Sequence, residues 1–261
     1  MRTVVDPCGR SITLPTHPQR IISLVPSQTE LLHRLGLGER VVGITKFCVH
    51  PQEWHRTKTR VGGTKKLNRE VIKSLNPDLI IANREENLEE DVLWLERFVP
   101  TWVSDVRTQA DAVDLVEHVA DITHVSTEAA DWVSALKLLC VPKERTRKIK
   151  FAYLIWQEPF MAVGSETFVH HMLEAAGFEN VVPFVRYPEV SLNQLEEWRP
   201  EVLMLSSEPF PFSALHQDAL RAQLPGDINV VLVNGELCSW YGPRMLSGIP
   251  YLQGLYQILA G

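Results

Sequence analysis

No stretch of this chain approaches the ~18 consecutive apolar residues that a membrane-spanning helix needs, so a protein not embedded in a membrane is expected. Cysteine is scarce. Cys8, Cys48, Cys140 and Cys238 are widely spaced and form no C-x-x-C pair, which excludes a disulfide framework and a zinc ribbon and is compatible with a reducing compartment. Basic charge is also short: 26 Lys and Arg stand against 32 Asp and Glu, a formal net charge of −6. Such a chain offers no basic field to nucleic acid or to an anionic membrane, and a small molecule or a protein is the expected partner. The G-x-S-x-G elbow, the H-E-x-x-H pair and the Rossmann glycine fingerprint are all missing, which argues against the common hydrolase, metalloprotease and dinucleotide chemistries. The first residues, Met1 to Pro15, are polar and turn-like with no charged-then-apolar leader. Two expectations follow: a cytosolic protein if Met1 is the native start, or an exported one if a signal was trimmed.

What is present is a core-forming composition, 45% hydrophobic over 261 residues, and an internal repeat. SQTELLHRLGLGERVV (Ser27 to Val42) returns in altered form as SETFVHHMLEAAGFENVV (Ser165 to Val182). Each copy reads as a Ser-x-Thr opening, an apolar-periodic helix, a closing glycine (Gly36, Gly177) and a β-branched strand. IKSLNPDLIIA (Ile72 to Ala82) and LEEWRPEVLML (Leu195 to Leu205) form a second pair, each a helix stopped by proline and followed by a buried strand. Repeated units of this kind predict two similar α/β lobes with a ligand cleft between them.

Along the chain, Arg20 to Val25 reads as a buried strand, and Pro26 leads into Ser27-x-x-Glu30, a capping-box pattern. Val41 to Thr45 continues the sheet, Lys46 to Lys66 is a loop, and Asn68 is placed to cap a helix from Arg69 to Leu75. Leu79 to Ala82, a helix from Leu88 to Phe98 and Thr101 to Ser104 complete a mostly parallel sheet. From Thr101 to Val141 there is neither Gly nor Pro, and apolar residues recur at helical spacing, which predicts a stiff connector of two helices, the second capped by Ser126 or Thr127. Strands at Ile149 to Trp156, Phe160 to Val163, Val202 to Ser206 and Val230 to Val233, with a last helix from Arg244 to Leu259, make the second lobe. The expected fold class is therefore α/β, two Rossmann-like lobes with mostly parallel central sheets joined by a long helical connector. The expected boundaries are 1–107, 108–147 and 148–261.

Aromatic residues gather at predicted strand ends and turns: Phe47 in the first half, and Trp156, Phe160, Tyr187, Trp240 and Tyr241 in the second. Core packing accounts for such residues one at a time, but the turn Ser239-Trp240-Tyr241-Gly242-Pro243-Arg244 suits a flat guest, with ring faces for stacking and Arg244 for a carboxylate or phosphate. Cys48-x-His50 puts a thiol and an imidazole in one loop, a candidate metal pair that distant residues such as His216 or Cys238 would have to complete; incidental use is the alternative. His170 and His171 are adjacent on a helix and are expected to point apart. Gly62-Gly63-Thr64-Lys65-Lys66 lacks the full phosphate-loop pattern and reads either as a solvated turn or as a pocket rim offering Lys65 to an anion. Carboxylates after two strand ends, Glu85 and Glu86 in one lobe and Glu208 in the other, leave a metal-dependent enzyme as a third class of reading.

Taken together, CGRSITLPTHPQRIISLVPSQTELLHRLGLGERVVGIT, LNPDLIIA, GSETFVHHMLEAAGFENVV, RYPEVSLNQLEEWRP and SWYGPR resemble the helical-backbone metal receptors, the cobalamin and iron-chelate substrate-binding proteins of ABC importers. The resemblance covers nearly the whole chain. It implies a monomeric binding protein rather than an enzyme, with no catalytic cofactor, a corrinoid, haem or ferric chelate as bound ligand, and an ABC permease as partner. Phe47, Tyr187 and Trp240 fall where cobalamin receptors place aromatics around the corrin. Thr64 and Asn83 stand where those receptors carry tryptophans, which leaves haem, a smaller corrinoid and iron chelates open beside cobalamin. Glu70 matches the first permease-docking acid, Asn193 occupies the second position, and Glu196 and Glu197 are expected to point elsewhere on that helix. The alternative is a cytosolic protein that binds or senses a metal chelate without transporting it.

Overall fold

The computed structural model describes residues 1–141, 143 and 145–261; Pro142 and Glu144, inside the predicted connector, lie outside the described residues. Two compact units emerge. The first comprises Met1–Val106, Ala110–Ala135 and Tyr241–Pro243, and the second Arg107–Gln109, Leu136–Trp240 and Arg244–Gly261. Most of the segment predicted as a separate connector, 108–147, is therefore counted with the first unit.

In the first part of the chain the elements are β1 (Arg2–Val5), β2 (Ser11–Leu14), β3 (Ile21–Ser23), α1 (Pro26–Arg34), β4 (Val41–Ile44), α2 (Gln52–Thr57) and β5 (Thr59–Arg60). Then come β6 (Gly62–Gly63), β7 (Lys66–Leu67), α3 (Arg69–Ser74), β8 (Leu79–Asn83), α4 (Glu89–Leu95), β9 (Thr101–Ser104), α5 (Gln109–Ile122) and α6 (Ser126–Leu139). The main sheet has the order β5-β4-β3-β8-β9, and every pairing in it is parallel. Parallel neighbours require crossovers that cover the sheet, which is why Ile21, Ile22, Leu79, Ile80 and Ile81 are fully buried rather than alternating. Each such side chain contributes roughly 1.5–3 kcal/mol by leaving water. The predicted apolar stripe of α5, Ala112, Val113, Val116, Val119 and Ala120, is buried.

Three local expectations are corrected. Met1 to Pro15 is not merely turn-like: β1 and β2 pair antiparallel, and Asp6 at their turn accepts from the Cys8 and Arg10 amides at 3.0 Å and from the Val103 amide at 3.2 Å, tying the hairpin to β9. The predicted capping box at Ser27 does not form. Pro26, whose fixed φ suits a first helical position, starts α1 one residue earlier, so the cap is Val25 and Ser27 is buried inside the helix. The loop 46–66 contains α2 and the start of the hairpin β6–β7. Elsewhere local chemistry acts as read: Asn68 Oδ1 accepts from the Val71 amide at 3.2 Å, and Gly36 (φ +73°) follows α1.

The second part holds β10 (Ile149–Trp156), β11 (Met161–Ala162), α7 (Phe168–Ala176), β12 (Phe178–Asn180), α8 (Leu192–Trp198), β13 (Val202–Ser206), α9 (Ala214–Gln223), β14 (Asn229–Val233), α10 (Gly235–Ser239) and α11 (Met245–Ala260). Here β10 lies parallel to both β12 and β13, β13 lies parallel to β14, and β11 adds an antiparallel strip. The order β12-β10-β13-β14 reproduces β4-β3-β8-β9, so the sequence repeat is a topological repeat as well. The Ser-x-Thr pair differs between copies: Thr167 caps α7 by accepting from the His170 amide at 3.3 Å, whereas Thr29 lies within α1. Gly177 (φ +112°) closes α7 in the left-handed conformation. Helix α9, not anticipated from the sequence, is the crossover that the parallel pair β13–β14 requires.

Candidate functional site

In the first unit the sequence candidates Phe47, Thr64, Lys65 and Glu70 line one open surface cavity of ≈ 860 Å³, together with Lys46, Lys66 and Arg69. The cavity is built on the β6–β7 hairpin. Gly62 has φ +103°, and a Cβ there would sit 2.5 Å from the Lys66 carbonyl oxygen, so only glycine allows this hairpin to close. Gly63 pairs with Lys66, which leaves Thr64 and Lys65 as the turn. The Lys46 amide donates to the Gly62 carbonyl at 2.8 Å and fixes the neighbouring Phe47, whose side chain remains 50% exposed. Thr64 is buried, and its carbonyl accepts from Asn87 Nδ2 at 3.1 Å.

Asn83, expected at the ligand, is turned inward. Its Oδ1 accepts from the Glu85 and Glu86 amides at 2.8 and 3.1 Å, and its Nδ2 donates to Ser104 Oγ at 3.0 Å. Its polar atoms organise the loop after β8, because a buried carboxamide is held wherever its hydrogen bonds are met. Tyr241 is likewise buried, and burial pushes its hydroxyl above the usual phenol range. Cys48 is fully buried, with its Sγ 3.0 Å from Thr29 Oγ1 and 3.2 Å from Thr45 Oγ1, and burial pushes the thiol up. His50 is half-buried, and His55 Nδ1 lies 3.2 Å from the Cys48 carbonyl. A thiol so enclosed by hydroxyls is set as a packing group, and among the described residues no cluster of three metal-ligand side chains includes Cys48 or His50.

In the second unit Trp156 ends β10 with 40% of its surface exposed, its ring edge-on to Phe210 at 5.7 Å. Phe160 packs half-buried against the core cluster of Leu154, Leu195, Leu205 and Phe212, and Tyr187 is half-buried. Trp240 is buried, and its Nε1 donates to Glu208 Oε1 at 2.7 Å while Ser239 Oγ donates to the same oxygen at 3.0 Å. Burial holds the Glu208 carboxyl above its ordinary range, with the Glu236 carboxylate adding and the two donors opposing. Arg244, expected to receive a ligand anion, instead meets Glu236 at 3.2 Å with its guanidinium 5.1 Å from the Trp240 ring centre. A buried aromatic and a half-buried cation find partners inside the unit, a choice no local pattern records.

Two further corrections concern α7 and α8. His170 and His171 do not point apart: their ring centres are 4.9 Å apart, and with Glu174 they form the only cluster of metal-ligand type among the described residues. A proton assignment argues against an ion there. Asn180 is pinned by the Val182 amide on its Oδ1 at 3.0 Å and by donation to the Val163 carbonyl at 2.9 Å, so its Nδ2 must face His170 Nδ1 at 3.2 Å as donor. The His170 proton then sits on Nε2, 3.4 Å from Glu174, on the nitrogen whose lone pair a metal would need. On α8, Glu196 and Glu197 do not point away from Asn193; the three line one surface cavity of ≈ 630 Å³, as i, i+3 and i+4 positions do.

The sequence profile of the family described as Periplasmic binding protein matches residues 21–226. The chain belongs to this family, whose members bind solutes for ABC transporters and are not enzymes. Among its relatives is a Vitamin B12-binding protein of Vibrio parahaemolyticus, 26% identical over 253 residues, spanning 92% of this chain and 90% of the relative. The periplasmic vitamin B12 binding protein of Vibrio cholerae superposes with a TM-score of 0.80 at 24% identity, covering 94% of this chain and 99% of that one. A periplasmic heme binding protein from Pseudomonas aeruginosa superposes with a TM-score of 0.78 at 20% identity, covering 92% of each chain. These two likenesses show the shared α/β fold. Among the described residues no helix is long and apolar enough to cross a membrane.

Proposed function

We propose that this protein is the solute-binding component of an ABC importer, a periplasmic monomer that captures a corrinoid, haem or ferric chelate and delivers it to the permease. The observation that carries the reading is the family match over most of the chain, joined to a relative named for vitamin B12 along nearly its full length. The ligand contacts are assigned to Phe47, Thr64 and Lys65 in the first unit and to Trp156, Phe160 and Tyr187 in the second. Trp240, Glu208 and Arg244 act as their support, and Asn83 and Tyr241 shape the loops. Permease contact is assigned to Glu70 on α3, exposed and 3.5 Å from Lys73, and to Glu196 and Glu197 on the repeat-related helix α8.

Titration of the purified protein with cyanocobalamin, haemin and ferric chelates, read by tryptophan fluorescence and visible absorption, should give one saturable change. No change with any of them at micromolar ligand overturns the proposal. One observation favours a second reading, chelate binding or sensing without transport: Asn193 stands where the first unit offers Glu70. Cell fractionation with the native gene decides between the two.

A further inference from the structure

The cavity of the first unit has a charge signature as well as an aromatic one. Lys46, Lys65, Lys66 and Arg69 line it against a single acid, Glu70, in a chain whose formal net charge is −6. Two of these five charges are already matched. Arg69 donates to Asp91 Oδ1 at 2.8 Å and lies 4.8 Å from the Trp94 ring centre, while Glu70 meets Lys73. The remaining three are lysines with no carboxylate at ion-pair distance among the described residues: Lys65 Nζ donates to the Glu85 carbonyl at 2.6 Å, and Lys46 Nζ lies 4.9 Å from the Phe47 ring centre.

The hairpin sets this arrangement. A Cβ on Gly63 would lie 3.1 Å from Phe47 Cε2 and 3.4 Å from Lys46 Cε, so ring and lysine stem rest on bare glycine backbone. The register places Lys66 opposite Gly63 and Lys65 in the turn beside it. Three uncompensated ammonium groups around an exposed ring repel one another, a cost that an uncharged guest leaves in place and an anionic guest relieves.

Resting on the proposed reading that the chain binds a metal chelate, we infer that the chelate is anionic. Its carboxylates or phenolates lie on Lys46, Lys65 and Lys66, with its body against Phe47. The test compares haemin and a ferric tris-catecholate, both anionic, with ferrichrome and cyanocobalamin, both uncharged, by titration calorimetry and absorption at low and high salt. The proteins are the wild type and the variant Lys46→Gln/Lys65→Gln/Lys66→Gln. All three lysines are exposed, so the variant should keep the wild-type circular dichroism and melting curve. The anionic chelates should bind more tightly than the uncharged ones and weaken with salt. Each lysine removed should weaken them roughly 2–5-fold and the triple change about tenfold or more, from the usual worth of partly exposed ion pairs. Tighter binding of an uncharged chelate, or unaltered binding of the anionic ones by the triple variant, overturns the inference and leaves chelate binding standing. Failure of all four chelates to bind the wild type removes both.

Discussion

The hairpin under the first unit's cavity makes a demand that can be measured at one atom. Gly62→Ala introduces a Cβ at a residue with φ +103°, 2.5 Å from the Lys66 carbonyl oxygen and 2.7 Å from the Asn68 amide nitrogen. Two terms add. The left-handed backbone costs an L-residue about 1–2 kcal/mol, and a contact with backbone that cannot swing aside costs about 1–3 kcal/mol more. A loss of about 2–5 kcal/mol follows, a shift of roughly 1–2 M in the urea midpoint for a typical slope. Two other glycines separate the terms. Gly9 has φ +78° with nothing within 4 Å of its Cβ position, so Gly9→Ala should show the backbone term alone. Gly226 lacks both features, so Gly226→Ala should be neutral or slightly stabilising. Urea unfolding followed by tryptophan fluorescence gives the midpoints, and hydrogen exchange gives the location. The Lys46 amide, bonded to the Gly62 carbonyl, and the Asn68 amide, bonded to the Val61 carbonyl, should lose protection in Gly62→Ala and keep it in Gly9→Ala. Should Gly62→Ala cost no more than Gly9→Ala, the close approach of the two strands is not what holds the cavity floor, and the reasoning fails.

Two further outcomes bear on the residues that proved to be internal. Asn83→Ala removes the acceptor for two loop amides and should lower stability by about 1–3 kcal/mol, with hydrogen-exchange protection lost at the Glu85 and Glu86 amides; unchanged protection at both would refute the loop-organising role. Glu208 is held above its ordinary carboxyl range by burial, so the folded state binds more protons than the unfolded one between the two values. The stability of the second unit should therefore fall as pH rises from about 4.5 through that raised value, and Glu208→Gln should flatten the slope. An unchanged slope in denaturation curves across this window would show that the carboxyl is not buried against Trp240.

The sequence by itself determined the repeat, the alternation of strands and helices, and the helix ends at Asn68, Gly36 and Gly177, because periodicity and capping act within a few residues. It also carried the family. The β1–β2 hairpin and α9 were written less clearly: the first has only four residues per strand, and the second shows itself through the crossover that parallel strands demand. Only the tertiary structure decided which polar and aromatic residues face inward. Cys48 looked toward His50 along the chain but meets Thr29, nineteen residues earlier, and Trp240 finds Glu208, thirty-two residues away. Such partnerships depend on where separate strands end in space, and burial makes an unmet hydrogen bond costly enough that the fold, rather than the neighbouring sequence, selects the partner.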